Sequence, residues 1–315
     1  MGLWLRKKEP VSVSCAWGEL TTTGAAQMQK LGEAVGMVYK DFVLDKQDVS
    51  IRSTDSRRCM ASAVAFMAGF LPQERDYKII TFPKEVDDLL YHYLNCPRQK
   101  RDSQAIDKSI KETALKEYIY KLHPELQEWI FPSQGFELSV RTDLIKSQYC
   151  HGKDIQNIAA IFSACNANYR HIFFDNIPTR LHRMRIGNIL LNIKQDILNP
   201  PTKFKLYSAH DATLAALLSA LSIRNTRAPP YAANLLIELW APSTEEKGAL
   251  RLRFIYNGQQ VTPAWCHIHC SVAAFLDYMD THLNLVGGFE TYLHPPPAPF
   301  NLTQECQIPA DQTLE

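Results

Sequence analysis

Apolar residues along this chain recur at two spacings, and the alternation between them outlines the fold. Residues 20–39, LTTTGAAQMQKLGEAVGMVY, put Met28, Leu31, Val35 and Val38 on one helical face, after a threonine-rich start suited to capping. In DVSIRSTD the spacing falls to two: Val49 and Ile51 alternate, which predicts a short strand ending at Arg52. Helical spacing returns at Met60, Val64, Met67 and Leu71, with Asp55 placed to cap the helix and Pro72 to stop it. YKIITFP (77–83) reads as another strand. From about residue 97 to 200 the pattern is helical with little strand signal. KFKLYSAHDATLAALLSALS then repeats the strand, polar turn and helix, Phe204 and Leu206 alternating ahead of Leu214, Leu217, Leu218 and Leu221. YAANLLIELWA and ALRLRFIYNGQQVTP read as strands, the second turning at Asn257-Gly258, and CSVAAFLDYMDTHL as a last helix. Strands alternating with helices around a helical block predict one α/β domain over 1–315. It has a mainly parallel central sheet flanked by helices, and an inserted helical cap at about 97–200. The tail LHPPPAPF suits a rigid polyproline II surface segment.

Composition narrows the function classes. Of 315 residues, 46% are hydrophobic and 21% charged, and the net charge is +1, so any anion site must be local and no nucleic-acid partner is expected. No apolar run approaches the roughly 20 residues that cross a bilayer. MGLWLRKKEPVSVSCAWGEL lacks the apolar core of a secretory signal, and Arg6 stands where a myristoylation motif needs Ser or Thr. The eight cysteines form no CxxC pair, as buried free thiols in a reducing compartment would. CHIHC (266–270) could instead be a local disulfide, or a zinc site with His267 and His269, although ligands this close rarely complete one tetrahedron. Asn301-Leu302-Thr303 is a glycosylation acceptor triplet.

Two strand ends carry the candidate chemistry. Arg52-Ser53-Thr54-Asp55 and Ser208-Ala209-His210-Asp211 each open into a helix, whose N-terminal amides favour an anion. In α/β sheets ligands gather beyond the carboxyl ends of the strands. A guanidinium can grip two phosphate oxygens, an imidazole can donate to a third, and an aspartic acid can protonate a departing alcohol. Arg57 and Arg58 are expected on the helix surface or paired with acidic neighbours.

These motifs resemble those of the histidine acid phosphatase branch of the histidine phosphatase superfamily. The family's G-x-L-T-x-x-G is matched by Gly18–Gly24, R-S-T-D-x-x-R by Arg52–Arg58, and Y-S-A-H-D-x-T by Tyr207–Thr213. Asn95-Cys96-Pro97-Arg98 and Pro229-Pro230-Tyr231-Ala232, leading into a strand with Glu238, are also similar, so the likeness runs from about Trp17 to Cys306. The resemblance implies a phosphoglycerate-mutase-like core and cofactor-free, metal-free hydrolysis of small phosphate monoesters, in a secreted or lysosomal setting. It implies that Arg52 clamps phosphate, His210 binds and stabilises the transferring phosphoryl group, and Asp211 is the general acid. Cys96 would pair with Cys306 and Cys266 with Cys270, whereas the partner expected for Cys150 near Asn234 is not a cysteine.

The family's nucleophile is a histidine in R-H-G-x-R-x-P, and no Arg-His-Gly occurs in the sequence. No cysteine has the arginine six positions on that a cysteine phosphatase requires; His151 and His171 fall in the expected cap. The family strand bearing R-H-G lies mid-sheet, so its loss is expected to leave two unpaired edges and a slot, for which Pro10–Ser14 is a brief candidate strand. The expectation is therefore a truncated acid phosphatase. The alternative is a non-catalytic member that binds a phosphorylated ligand or a partner. Exposed sheet edges would also allow a homodimer.

Overall fold

The computed structural model describes residues 18–91, 95–99, 101–102, 121, 143, 145–175, 177, 179–225, 227–242, 249–266 and 270–283. Helix α1 (Thr22–Tyr39) starts as its threonines predict, the Thr21 hydroxyl accepting from the Gly24 N–H at 3.1 Å. Strand β1 (Val49–Ser53) follows, then α2 (Arg57–Phe70), which ends just before Pro72. Two expected details shift. Asp55 does not cap α2: Ser56 holds that position, and the Asp55 carboxylate accepts instead from the Lys84 N–H at 3.1 Å. The buried stripe of α2 is Cys59, Ala63, Phe66, Met67 and Phe70, while Val64 and, on α1, Val38 face solvent. Each helix is rotated relative to its apolar pattern because the two meet backbone to backbone. A methyl group on Gly32 would come within 2.0 Å of the Phe66 carbonyl oxygen, and one on Gly69 within 2.1 Å of that of Gln29. At so close a crossing only glycine fits.

β1 lies between β2 (Ile79–Ile80) and β3 (Phe204–Ser208), all parallel, with Val49 to Ser53 opposite Phe204 to Ser208. Between β2 and β3 come α3 (Ile158–Phe173) and α4 (Thr179–Leu198); after β3 comes α5 (Asp211–Ala220). A second, antiparallel group holds β4 (Leu235–Trp240), β5 (Arg251–Tyr256) and β6 (Gln259–Val261), with β7 (Cys270–Ser271) also on β5. The predicted Asn257-Gly258 turn joins β5 to β6 with both residues at positive φ. Helix α6 (Val272–Asp277), capped by Ser271, runs on into a π-turn at Tyr278–His282. The fold is α/β as expected, its strands divided between a parallel part and an antiparallel part.

β1 and β3 pair directly, while β3 and β4 belong to separate ladders among the described residues. Tyr39 links the two, its ring 6.2 Å from that of Phe204 at the start of β3 and its hydroxyl donating to Glu238 on β4. Pro10–Ser14 lies outside the described residues. One core lies under α1 and α2, around Val35, Ile51, Phe66, Met67 and Phe70. The larger unites α4, α5, β5 and α6 through Leu190, Leu218, Phe254 and Phe275. Helix α4 therefore covers the sheet: Lys205 and Tyr207 of β3 both bond its Asn192 and Asp196. Cys266 and Cys270 form a disulfide, which removes both from any zinc site; His267 and His269 lie outside the described residues. Cys96 is disulfide-bonded, and Cys306, its expected partner, is outside them too. Among the described residues no helix is long and apolar enough to cross a membrane.

Candidate active site

Direct pairing of two parallel strands brings their carboxyl ends, and the helices that follow, side by side. The Thr54 N–H bonds the Ser208 carbonyl at 3.1 Å, and the Ser208 hydroxyl bonds the Cys59 carbonyl in the first turn of α2 at 2.8 Å. This lacing sets the N-termini of α2 and α5 on one edge, where their dipoles add positive potential. His210 stands immediately before α5. Its Nδ1 is 3.5 Å from Arg58 Nη2 and 3.8 Å from Cys59 Sγ, and its Nε2 is 3.1 Å from the Tyr91 hydroxyl. Arg58 also reaches the Gly18 carbonyl at 3.4 Å, which ties the start of the G-x-L-T segment to the same edge. Burial and the cations of Arg58 and Lys84 push the His210 imidazole down to about 4, against a weaker upward pull from Asp211 and Asp55. Burial pushes the Cys59 thiol up, so it stays protonated, and it donates to the Ala209 carbonyl at 3.1 Å.

Asp211 opens α5 and is exposed, one of its oxygens accepting from the Ala212 N–H at 2.8 Å. Asp143, Tyr169 and Tyr231 are near enough to feel its charge. Burial and the Asp211 charge push the Asp143 carboxyl up to about 6; burial and Asp211 raise the Tyr169 hydroxyl well above its ordinary value. Tyr231 bonds the Asp143 carbonyl at 3.4 Å and carries the Lys146 ammonium over its ring at 4.6 Å.

Of the expected site residues, His210 and Asp211 lie together on this edge, and Arg52 does not present its guanidinium to them. It is 6% exposed, paired with Asp87 at 2.6 Å, bonded to the Ser53 and Ile80 carbonyls and covered by the Phe82 ring at 4.8 Å. The arginine beside His210 is Arg58. Arg57 pairs with Glu19 at 3.7 Å, as an arginine with acidic neighbours should. Arg58, expected on the helix surface or paired with acidic neighbours, is exposed there but turns toward His210, and Tyr91 and Asp143 were not singled out by the sequence reading. For Arg58 the signal lay in its own motif, since it is the closing arginine of R-S-T-D-x-x-R; Tyr91 and Asp143 had none.

The edge gathers paired helix N-termini, an arginine, a histidine and an aspartate, groups of the kind that hold an anion and exchange a proton. The family described as "Histidine phosphatase superfamily (branch 2)" matches residues 2–175 and 181–257, and the chain belongs to it. A Caenorhabditis elegans protein with "acid phosphatase 5" in its name is 30% identical over 258 residues, covering 73% of this chain and 60% of that protein. Zebrafish (Danio rerio) 2-phosphoxylose phosphatase 1 is 24% identical over 340 residues, 86% of this chain and 65% of its own length. The chain thus spans less than two thirds of either. Human lysosomal acid phosphatase is 25% identical, with 94% of this chain and 74% of the relative covered. Among solved structures, the Hafnia alvei phytase apo form superposes with a TM-score of 0.67 at 13% identity, covering 90% of this chain and 92% of that one. The Klebsiella sp ASR1 phytase gives 0.65 at 16%, covering 85% and 86%. At these identities the likeness is one of fold.

Proposed function

We propose that this edge binds a small phosphate monoester and that the protein acts in acid phosphomonoester hydrolysis. Arg58 and His210 face the phosphoryl oxygens, and Asp211 supplies the proton to the departing alcohol. What supports this most is that His210, Asp211 and Arg58 meet at the ends of β1 and β3, where two helix N-termini already favour an anion. Asp143 is close enough to Asp211 for its carboxyl to be raised by that charge, which puts a second carboxyl group beside the proposed proton donor. The secreted or lysosomal setting belongs to the same proposal, supported by the Cys266–Cys270 disulfide and the bonded Cys96, which an oxidising compartment preserves.

The sequence contains no Arg-His-Gly. In a second reading the same edge holds a phosphorylated ligand without cleaving it. Turnover of a generic aryl phosphate at mildly acidic pH by the folded chain separates the two. On the first reading Asp211→Asn lowers kcat by about 10²- to 10⁴-fold. On the second there is no turnover, but inorganic phosphate still binds, and Arg58→Ala or His210→Ala weakens it. No turnover and no phosphate binding would remove both.

A further inference from the structure

Arg52 stands near the carboxyl end of β1 with its charge already engaged. Its Nη1 bonds the Ser53 carbonyl and, at 3.3 Å, that of Ile80; its Nη2 meets Asp87 Oδ1 at 2.6 Å. Asp87 is itself fixed. It is 1% exposed, and the same Oδ1 accepts the N–H groups of Leu89 at 3.1 Å and Leu90 at 3.0 Å. Its other oxygen, Oδ2, is buried with no hydrogen-bond partner among the described residues. A carboxylate solvated on one side only depends heavily on the cation in contact with it. The turn that Asp87 holds ends at Tyr91, whose hydroxyl touches His210, so this carboxylate joins the Arg52 strand to the wall of the anion site.

We propose that Asp87 is a counter-ion latch: it and a bound phosphate compete for the Arg52 guanidinium, and the latch sets how tightly the site holds phosphate. This rests on the phosphate reading of the site. In this structure Arg52 lies on Asp87. A phosphate group can recruit it only by drawing the guanidinium away and leaving Asp87 buried without its counter-charge. The observed affinity is therefore lower than that of a site with Arg52 released, by the factor that favours the latched state. A latch of this kind suits an enzyme that must let its inorganic phosphate product go.

Calorimetric titration of inorganic phosphate into the full chain tests it. Asp87→Asn keeps an oxygen for Leu89, Leu90 and Arg52 but removes the charge, and is expected to bind phosphate at least threefold more tightly than the unaltered protein. Asp88→Asn, which makes the same change in net charge one residue along, is expected to stay within twofold. An unchanged or weaker affinity in folded Asp87→Asn, or an equal gain in Asp88→Asn, overturns the latch while leaving the phosphate site standing. Absence of phosphate binding in every form overturns the site and the latch together. Should Asp87→Asn not fold, a crystal structure of the unaltered chain with inorganic phosphate decides. Arg52 off Asp87 and on the phosphate is the expected result, and an unmoved pair overturns it.

Discussion

His210 and His182 both sit where a proton is unwelcome, the first beside Arg58 and the second among buried groups with its Nε2 3.2 Å from the Ser219 hydroxyl. Burial, with nearby positive charge, lowers each to about 4, so the folded protein holds them neutral while the unfolded chain protonates them near 6.5. Their contribution to stability is complete above about pH 6.5 and disappears as pH falls through 4. Asp143, raised to about 6, works the other way: its contribution is complete below about pH 4 and is lost as pH rises through 6. At pH 5 unfolding takes up two protons at the histidines and releases one at Asp143, so these groups together make stability rise with pH. Urea midpoints at pH 4.5 and 6.5 should differ less in His182→Gln than in the unaltered protein; an equal difference would mean His182 is not held neutral. Much of this environment was invisible in the sequence. SAHD announces His210 and Asp211 because they are consecutive at a strand end. Tyr91 and Asp143 reach the same place from 119 residues before His210 and from the helical block, and no local pattern marks a contact made by tertiary folding.

The pairing of α1 with α2 shows how an element can be predicted correctly and turned wrongly. Apolar spacing located both helices, yet Val38 and Val64 face water because close backbone contact at Gly32 and Gly69 sets the rotation. Sequence periodicity weighs apolar side chains, and a contact made by having no side chain escapes it. Gly32→Ala would press a methyl group into the Phe66 carbonyl and is expected to cost about 1–3 kcal/mol of stability, read from the denaturant midpoint. Gly258→Ala is a useful contrast. Nothing lies within 4 Å of the added carbon, so its cost, about 1 kcal/mol, comes from the positive φ alone. Equal losses at the two positions would mean that α1 and α2 slide apart at little cost. Asp55 makes the same point for capping. Its type and position were right for a cap, but the chain at Lys84 offered a better-placed N–H.

For the molecule as a whole, the sequence disclosed the α/β class and the order of its elements through alternating periods of two and 3.6. It did not disclose which strands would pair, because pairing between distant strands leaves no trace in either strand alone. The division of the strands has a dynamic consequence. Among the described residues no backbone ladder joins the sheet of β1 to that of β5, and two such blocks, one built on β1 and α2 and the other on β5 and α6, tend to open independently. Amide hydrogen exchange should therefore show two classes of slow protons with different opening free energies, β1 in one and β5 in the other. Tyr39, with its ring in the first block and its hydroxyl on Glu238 in the second, acts as the rivet between them. Removing that one oxygen, in Tyr39→Phe, should widen the gap between the two exchange classes without unfolding either. A protein joined this way can be loosened along a single seam, and the seam lies beside the β3 strand that delivers His210.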